Sequence, residues 1–471
     1  MRRKKGQGMA SMMNAWRSSA ITMDVMAASA ETASRLAERQ ARRLASLLAH
    51  AKQHSALFAK RLADIDPATA SLADLPISHR DELMAAFDQW VCDPALKLTD
   101  LRGYTADEDK IAALFNDKYT VWESSGTSGL PGIFVQDIEA MTVYDALEAL
   151  RRSDPDPWRR VFNPLSVGER WAFVGATGGH FASLVSLLRL RRLNPLMASS
   201  LQAFSIMQPT ADLVAQLNDW SPTVLATYPT AAAMLADEAA AGRLRCRPHA
   251  VWTGGETLMP AVRSHVEKTL GSAVRNSYGA SEFLPIAWEC RCQQLHVNAD
   301  WVILEAVDDQ GRAVPPGQPS ATTLLTNLAN KVQPLIRYDL GDCIVLSPEP
   351  CACGSALPVL EVQGRQDDPL TMAGAKGHTI TLLPMALSTV LEEEAGVYDY
   401  ELLQRDAHTL VLRLPLSEAE AQEPLRRGCA ALLEFMRQQG VAKPKALGEA
   451  VPQVQRGRSG KARRVQAMAS R

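Results

Sequence analysis

No apolar run in this chain approaches the roughly 20 residues that a bilayer demands of a helix. The longest mainly apolar stretch, Trp171 to Leu190, is broken by glycines, His180 and Arg189, so no membrane span is expected. A dominant charge is missing too: 50 Lys and Arg stand against 52 Asp and Glu, a formal charge of −2. That balance creates no field to collect nucleic acid, which is therefore not an expected partner. Cysteine is scarce and unevenly spread, eight in 471 residues, as in a protein of the reducing cytoplasm rather than a disulfide scaffold. The opening Met1-Arg2-Arg3-Lys4-Lys5 is basic, but no apolar core or small-residue cleavage site follows it. A secretory signal is not expected, and a cytoplasmic location is. Internal repeats and low-complexity segments are also lacking.

What is present reads as an α/β protein. With 46% hydrophobic and 22% charged residues, the chain can bury cores without staples, and its length suits about three domain-sized units. Residues 1–25 read as a flexible tail. From Glu31 to about Leu62, Leu36, Leu44, Leu47, Leu48 and Ala51 recur at helical spacing. Ser78-His79-Arg80-Asp81 resembles a capping box opening a helix that reaches about Asp88. Between about 120 and 345, apolar runs such as Val224 to Thr227, Trp301 to Val307 and Thr322 to Leu328 alternate with helical stretches such as Ala231 to Ala241. After residue 364 the texture changes. A helical stretch near Leu383 to Glu394, strands at Tyr400 to Leu403 and Thr409 to Leu414, and a helix with Leu425, Cys429, Leu432, Leu433 and Met436 on one face predict a small α+β domain. The expected division is a large mixed-sheet domain over 26–364 and a small mobile domain over 365–471.

Several polar clusters interrupt this pattern. Ser124-Ser125-Gly126-Thr127-Ser128-Gly129-Leu130-Pro131-Gly132 offers hydroxyls and backbone amides that can converge on a phosphate. It is not a Walker loop, because no Gly-Lys-Ser/Thr follows at the required spacing. Downstream stand Trp252-Thr253-Gly254-Gly255-Glu256 and Asn276-Ser277-Tyr278-Gly279-Ala280-Ser281-Glu282. The second of these pairs an aromatic face for a base with a carboxylate for a hard cation. Arg337-Tyr338-Asp339-Leu340-Gly341-Asp342 presents a carboxylate able to accept both hydroxyls of a ribose. Gly364-Arg365-Gln366-Asp367-Asp368 sets a cation beside acids, and Ser459-Gly460-Lys461 places a lysine near the far end.

This succession resembles the adenylate-forming superfamily of acyl-coenzyme A synthetases, adenylation domains and luciferases. Within it the chain is most similar to the phenylacetate-coenzyme A ligases and their capsule-biosynthesis-type relatives, from about residue 35 to residue 467. The resemblance implies that residues 124–129 hold the β- and γ-phosphates of ATP, and that Gly254, Gly255 and Glu256 border the adenine and acyl pocket. Asn276, Gly279 and Ser281 fall in the nucleotide-binding segment. On the same resemblance Tyr278 would stack on adenine, Glu282 would hold Mg2+, Asp342 would bind the ribose and Arg365 would help hold the nucleotide. Asp367 would be the hinge, and Lys461 would bridge the carboxylate and the α-phosphate. His180 and Phe181 fall where relatives line the acyl pocket. Two departures stand out: Leu130 occupies a position often held by Lys, and the segment around Lys461 keeps Gly460-Lys461 without the usual Pro-Lys/Arg-Thr lead.

The cysteines form a second constellation. Cys290-Arg291-Cys292 lies near His296, and Cys351-Ala352-Cys353-Gly354 follows later. Two thiolate-bearing turns and an imidazole can complete a tetrahedral Zn2+ site. The favoured ligands are Cys290, His296, Cys351 and Cys353, with Cys292 as a substitute and unligated thiols as the alternative. Some members of the family resemble this pattern and carry the metal as a structural clip. Cys92, Cys246, Cys343 and Cys429 read as packing residues.

The expected activity is ATP-dependent conversion of a carboxylic acid to its acyl adenylate and then to a coenzyme A thioester, by an AMP-forming acid–thiol ligase working as a monomer or homodimer. Two alternatives stay open. One is an adenylate-forming enzyme whose acceptor is a carrier protein or another group. The other is an inactive nucleotide-binding scaffold, suggested by Leu130 and Gly132 and opposed by Glu282, Asp342, Arg365 and Lys461.

Overall fold

The computed structural model describes residues 18–124, 131–151, 168–194, 198–363, 369–375, 378–397, 400–452 and 464–467. The chain divides into two compact units: residues 1–122, 133–157 and 276–363 form the first, and residues 123–132, 158–275 and 364–471 the second.

In the first unit the expected amphipathic helix is present as Ala33–His54, followed by Ala56–Arg61, and all five predicted apolar positions of the longer helix are buried. Residues 18–29 are helical, a correction to the tail expected as far as residue 25. Val25 and Ala28, three apart on one helix face, are buried. The Arg151 guanidinium donates to the Ser29 hydroxyl at 3.2 Å, and Asp24 pairs with Arg39 and Arg43. The capping box expected at Ser78 does not form. The helix is Arg80–Ala85, capped at His79 without a side-chain bond, and Phe87–Trp90 follows separately. The Ser78 backbone is spent on a bridge beside Tyr338, donating to Arg337 O and accepting from Asp339 N, both at 3.0 Å.

Three antiparallel strands, Val302–Val307, Thr322–Asn327 and Tyr338–Asp339, form one sheet of this unit. An antiparallel run Cys343–Leu346, Val359–Gln363, Leu295–Val297, Phe283–Glu289 and Ala273–Ala280 carries the motif residues. Thr120–Glu123 pairs with Ile133–Gln136, bracketing the Ser- and Gly-rich segment.

The second unit holds a parallel layer in the order Ala250–Thr253, Val224–Thr227, Trp171–Gly175, Leu201–Ser205. Its helices are Ala182–Leu193, Thr210–Trp220, Pro229–Ala240 and Pro260–Leu270. Strands buried on both faces explain the continuous apolar runs of the sequence. The same unit contains a C-terminal sheet ordered Lys445–Ala450, Thr409–Leu414, Glu401–Gln404, Val465–Gln466, the hairpin Leu370–Ala373/Thr379–Leu382, and the helix Glu418–Gln438. That helix starts on a true capping box, Ser417 with Glu420. Leu432 and Met436 are buried on its inner face, with Leu425, Cys429 and Leu433 packed partly buried beside them.

Candidate active site

Two chain reversals build the acidic centre of the first unit. The strand Ala273–Ala280 pairs with Phe283–Glu289 through Tyr278↔Ala287 and Ala280↔Phe283, with a register irregularity between Tyr278 and Ala280. Gly279 sits at that irregularity, where a Cβ would fall 2.0 Å from the Leu284 carbonyl oxygen. Only glycine lets the backbone close there, and the tight reversal that follows carries Ser281 and Glu282. The Ser281 carbonyl accepts the Trp122 indole N–H at 2.8 Å.

The second reversal follows Tyr338–Asp339. Gly341 takes φ +65°, and its N–H donates to Asp339 Oδ1 at 2.8 Å. The Thr322 hydroxyl also donates to Asp339, and the Thr323 hydroxyl donates to the Asp342 carbonyl at 2.7 Å. Upstream, Arg337 is buried in a left-handed conformation and paired with Glu305 at 3.0 Å. With its backbone held this way, Asp342 receives the Tyr278 hydroxyl on Oδ2 at 2.9 Å.

Glu282 is buried beside them. Burial pushes its carboxyl pKa up and the Asp342 charge adds to the rise; the hydrogen bond donated by Tyr338 and the Arg80 charge oppose it. The Tyr278 phenol is held well above its ordinary value, first by burial and then by the Asp342 charge. The Tyr338 phenol is raised in the same way, with Glu282 as the neighbouring charge. Both phenols are therefore neutral donors at physiological pH. Two neighbouring acids lined by such donors suit a cation and a pair of vicinal hydroxyls.

In the second unit, Ser124 and Gly132 close the base of the Ser- and Gly-rich loop. Ser124 N donates to Gly132 O at 2.8 Å, and Gly132 N donates to Ser124 Oγ at 3.0 Å. Ser125, Gly126, Thr127, Ser128 and Gly129 lie outside the described residues, as do Arg365, Asp367 and Lys461. His180 is buried, and its carbonyl accepts Glu123 N at 2.9 Å. Phe181 caps the helix Ala182–Leu193 and lies against Gly179. Gly254-Gly255-Glu256 leaves the strand Ala250–Thr253, and Gly255 takes φ +79° with the Tyr228 ring 3.1 Å from where a Cβ would stand. The Glu256 carboxylate accepts both Thr230 N and Thr230 Oγ1 at 3.0 Å, at the N-terminus of the helix Pro229–Ala240. It satisfies one orphan amide and faces the positive end of that helix.

The cysteine cluster assembles in the first unit. The side-chain ligand atoms of Cys290, His296, Cys351 and Cys353 lie within 4.8 Å of one another. Cys290 Sγ is 3.7 Å from Cys351 Sγ, and Cys353 Sγ is 3.3 Å from His296 Nε2. Cys292 is exposed and outside that set. His296 Nδ1 lies 2.9 Å from the Leu357 carbonyl, and Trp288 stacks on the ring at 5.3 Å. An Nδ1–H donated to that carbonyl leaves the Nε2 lone pair facing the thiols, the arrangement of a ligand oriented by an outer partner.

Tyr338 and Thr230 escaped the sequence reading as partners of Glu282 and Glu256. Tyr338 lies inside the Arg337-to-Asp342 motif, immediately after the buried Arg337. Nothing local announces Thr230.

No family model matches the chain. Among curated proteins, it is 30% identical over 185 residues to the phenylacetate-coenzyme A ligase of Thermus thermophilus, covering 37% of this chain and 40% of that protein. It is 25% identical over 230 residues to Protein CapK of Staphylococcus aureus, covering 48% of each. The matched region thus spans less than half the length of either relative. Among solved structures, 2-hydroxyisobutyryl-CoA ligase with 2-HIB-AMP and CoA in the thioesterification state superposes with a TM-score of 0.55 at 23% identity, covering 93% of this chain and 91% of that one. The same ligase in the postadenylation state with 2-HIB-AMP gives a TM-score of 0.51 at 22% identity over 91% and 89%.

The chain has the fold of these 2-hydroxyisobutyryl-CoA ligase structures. The mixed α/β class expected from the sequence is the class observed, and the ligase fold brings Tyr278, Glu282 and Asp342 together from separate motifs. Among the described residues no helix is long and apolar enough to cross a membrane.

Proposed function

We propose that this protein activates a carboxylic acid with ATP and transfers the acyl group to coenzyme A. The observation that carries this reading is the Tyr278–Asp342 hydrogen bond beside buried Glu282. It joins an aromatic face, a ribose acceptor and a cation-binding acid in one place. An oxygen of the substrate carboxylate attacks the α-phosphorus of ATP, the bond to pyrophosphate breaks, and the mixed anhydride retains AMP. The coenzyme A thiol, having lost its proton, then attacks the acyl carbon, and AMP leaves with the electron pair of the broken C–O bond. No protein nucleophile is needed, so catalysis consists of alignment and charge neutralisation.

Tyr278 stacks on adenine and holds Asp342 toward the ribose hydroxyls. The backbone amides of residues 124–129 cradle the β- and γ-phosphates, Arg365 adds a cation, and His180 and Phe181 face the acyl group. Lys461 bridges the attacking carboxylate and the α-phosphate, and Asp367 is the pivot between residues 26–364 and 365–471. A buried acid raised by its surroundings and beside a second acid fits a divalent cation, and Glu282 would hold Mg2+, which offsets phosphate charge. The cysteine quartet fits Zn2+ with all four positions taken, so that metal would clip the Cys290 turn to the Cys351 turn without entering the chemistry.

The decisive experiment is carboxylate-dependent exchange of labelled pyrophosphate into ATP across a library of acids, followed by addition of coenzyme A. Release of AMP with equal loss of free thiol is expected. Exchange without thiol consumption would redirect the acyl group to a carrier protein, and silence across the library would leave a nucleotide-binding scaffold.

A further inference from the structure

The strand that closes the C-terminal sheet has only two residues, Val465–Gln466, laid parallel on Leu402 and Leu403 at one end of the sheet. So short an edge strand has little backbone pairing of its own, yet Val465 and Arg464 are both buried. Leu402 N donates to Arg464 O at 2.6 Å, and Gln466 Nε2 donates to Glu401 Oε1 at 2.8 Å. Arg464 Nη1 donates to Glu392 Oε1 at 2.6 Å, both side chains being buried. The guanidinium also lies 5.0 Å over the Tyr400 ring, whose hydroxyl donates to Ser388 Oγ at 2.7 Å.

Glu392 comes from an unusual place. The helix Pro384–Thr389 continues into a π-helical turn, Val390–Glu394, a geometry found often at functional sites. On this turn two successive acids are put to different uses. Glu392 grips Arg464, while Glu393 is exposed and its Oε1 would lie 3.2 Å from a Cβ placed on Gly179, next to His180. One turn of chain thus touches both the glycine loop beside the expected acyl pocket and the strand that follows Lys461. Lys461 precedes Arg464 by three residues in the sequence.

We propose that the buried Glu392–Arg464 pair is a positioning device for the arm that carries Lys461, holding the base of that arm so that the lysine reaches the α-phosphate during adenylation. The proposal rests on the role given to Lys461 above. A buried ion pair is a poor choice for stability alone, since apolar replacements are often neutral or better. It does fix direction, because the charges are satisfied in a narrow range of geometries.

The test compares full-length Glu392→Gln, Arg464→Met and the double variant Glu392→Met/Arg464→Met. Either single variant breaks this buried contact and is expected to lower Tm, whereas the double variant removes both charges of the contact and is expected to melt near the wild type. If the pair positions the arm, the double variant still loses about tenfold or more in pyrophosphate exchange, while thioester formation from supplied acyl adenylate stays within about twofold. Wild-type exchange in a double variant of wild-type Tm, or equal loss of both half-reactions, would overturn the proposal. Hydrogen exchange supplies a readout independent of turnover. Amides of residues 464–467 should exchange faster in the double variant while those of Thr409–Leu414 do not, and unchanged protection at 464–467 would equally sink the tether. Wild-type exchange of pyrophosphate that survives Lys461→Ala would instead fail the reading of the lysine, whatever the variants at 392 and 464 do.

Discussion

The Tyr278 hydroxyl donates to the Asp342 carboxylate at 2.9 Å, across 64 residues of sequence. The pair has unequal members. Tyr278→Phe keeps the aromatic face and loses one hydrogen bond, so the KM for ATP should rise about fivefold with kcat nearly unchanged. Asp342→Ala removes the carboxylate proposed to accept the ribose hydroxyls and leaves a buried phenol without its partner, which should cost about a hundredfold in kcat/KM. Pyrophosphate exchange at varied ATP measures both, and a milder effect at Asp342 than at Tyr278 would contradict the assignment.

Glu282 should trade stability for function. Its carboxyl pKa is raised in the folded protein, so the native state binds the proton more tightly than the unfolded chain does. The stabilisation is full below the unfolded value near 4.5 and is lost as pH rises through the folded value. Glu282→Gln mimics the protonated form. It should raise Tm by about 2–4 °C at pH 7.5, flatten that part of the pH profile, and reduce exchange by about a hundredfold or more. Thermal melts between pH 4.5 and 8 alongside exchange assays would check the pair of effects. A lowered Tm at pH 7.5 would mean that the ionised carboxylate is a net stabiliser.

Glu256 anchors a helix. Its carboxylate accepts two hydrogen bonds from Thr230 at the start of Pro229–Ala240. Glu256→Ala should lower the free energy of unfolding by about 1–2 kcal/mol through the lost cap. Gly255→Ala should be at least as costly, because φ is +79° and the Tyr228 ring lies 3.1 Å from the added carbon. Urea titrations report both, and wild-type midpoints would show that neither contact is strained or stabilising.

Purification without chelator should yield about one zinc per chain. Cys351→Ser and Cys353→Ser should each abolish stoichiometric metal and lower Tm, whereas Cys292→Ser should retain it, since Cys292 is exposed and outside the four-atom cluster. Metal analysis with thermal melts distinguishes the set. Retention of zinc after loss of Cys353 would bring Cys292 into the ligand shell.

Much of the fold and part of the candidate site were legible in the residues themselves. Periodicity located the helix Ala33–His54 and the strand Thr409–Leu414 because burying one face imposes a repeat on any sequence that does it. Residue chemistry marked Tyr278, Glu282, Asp342 and the clustered Cys290, His296, Cys351 and Cys353, because few other side chains offer those donors and acceptors. The partners were not legible. Ser78 looked like a cap, but its backbone groups were claimed by Arg337 and Asp339, more than 250 residues away. Tyr338 beneath Glu282, Thr230 on Glu256 and Glu392 on Arg464 likewise join residues that no local pattern relates. The sequence by itself determined which atoms are available and which faces must be buried, since both are properties of side chains and their spacing. Only the tertiary structure decided which acid meets a phenol, an amide or a guanidinium, because that depends on where distant strands end when their cores close.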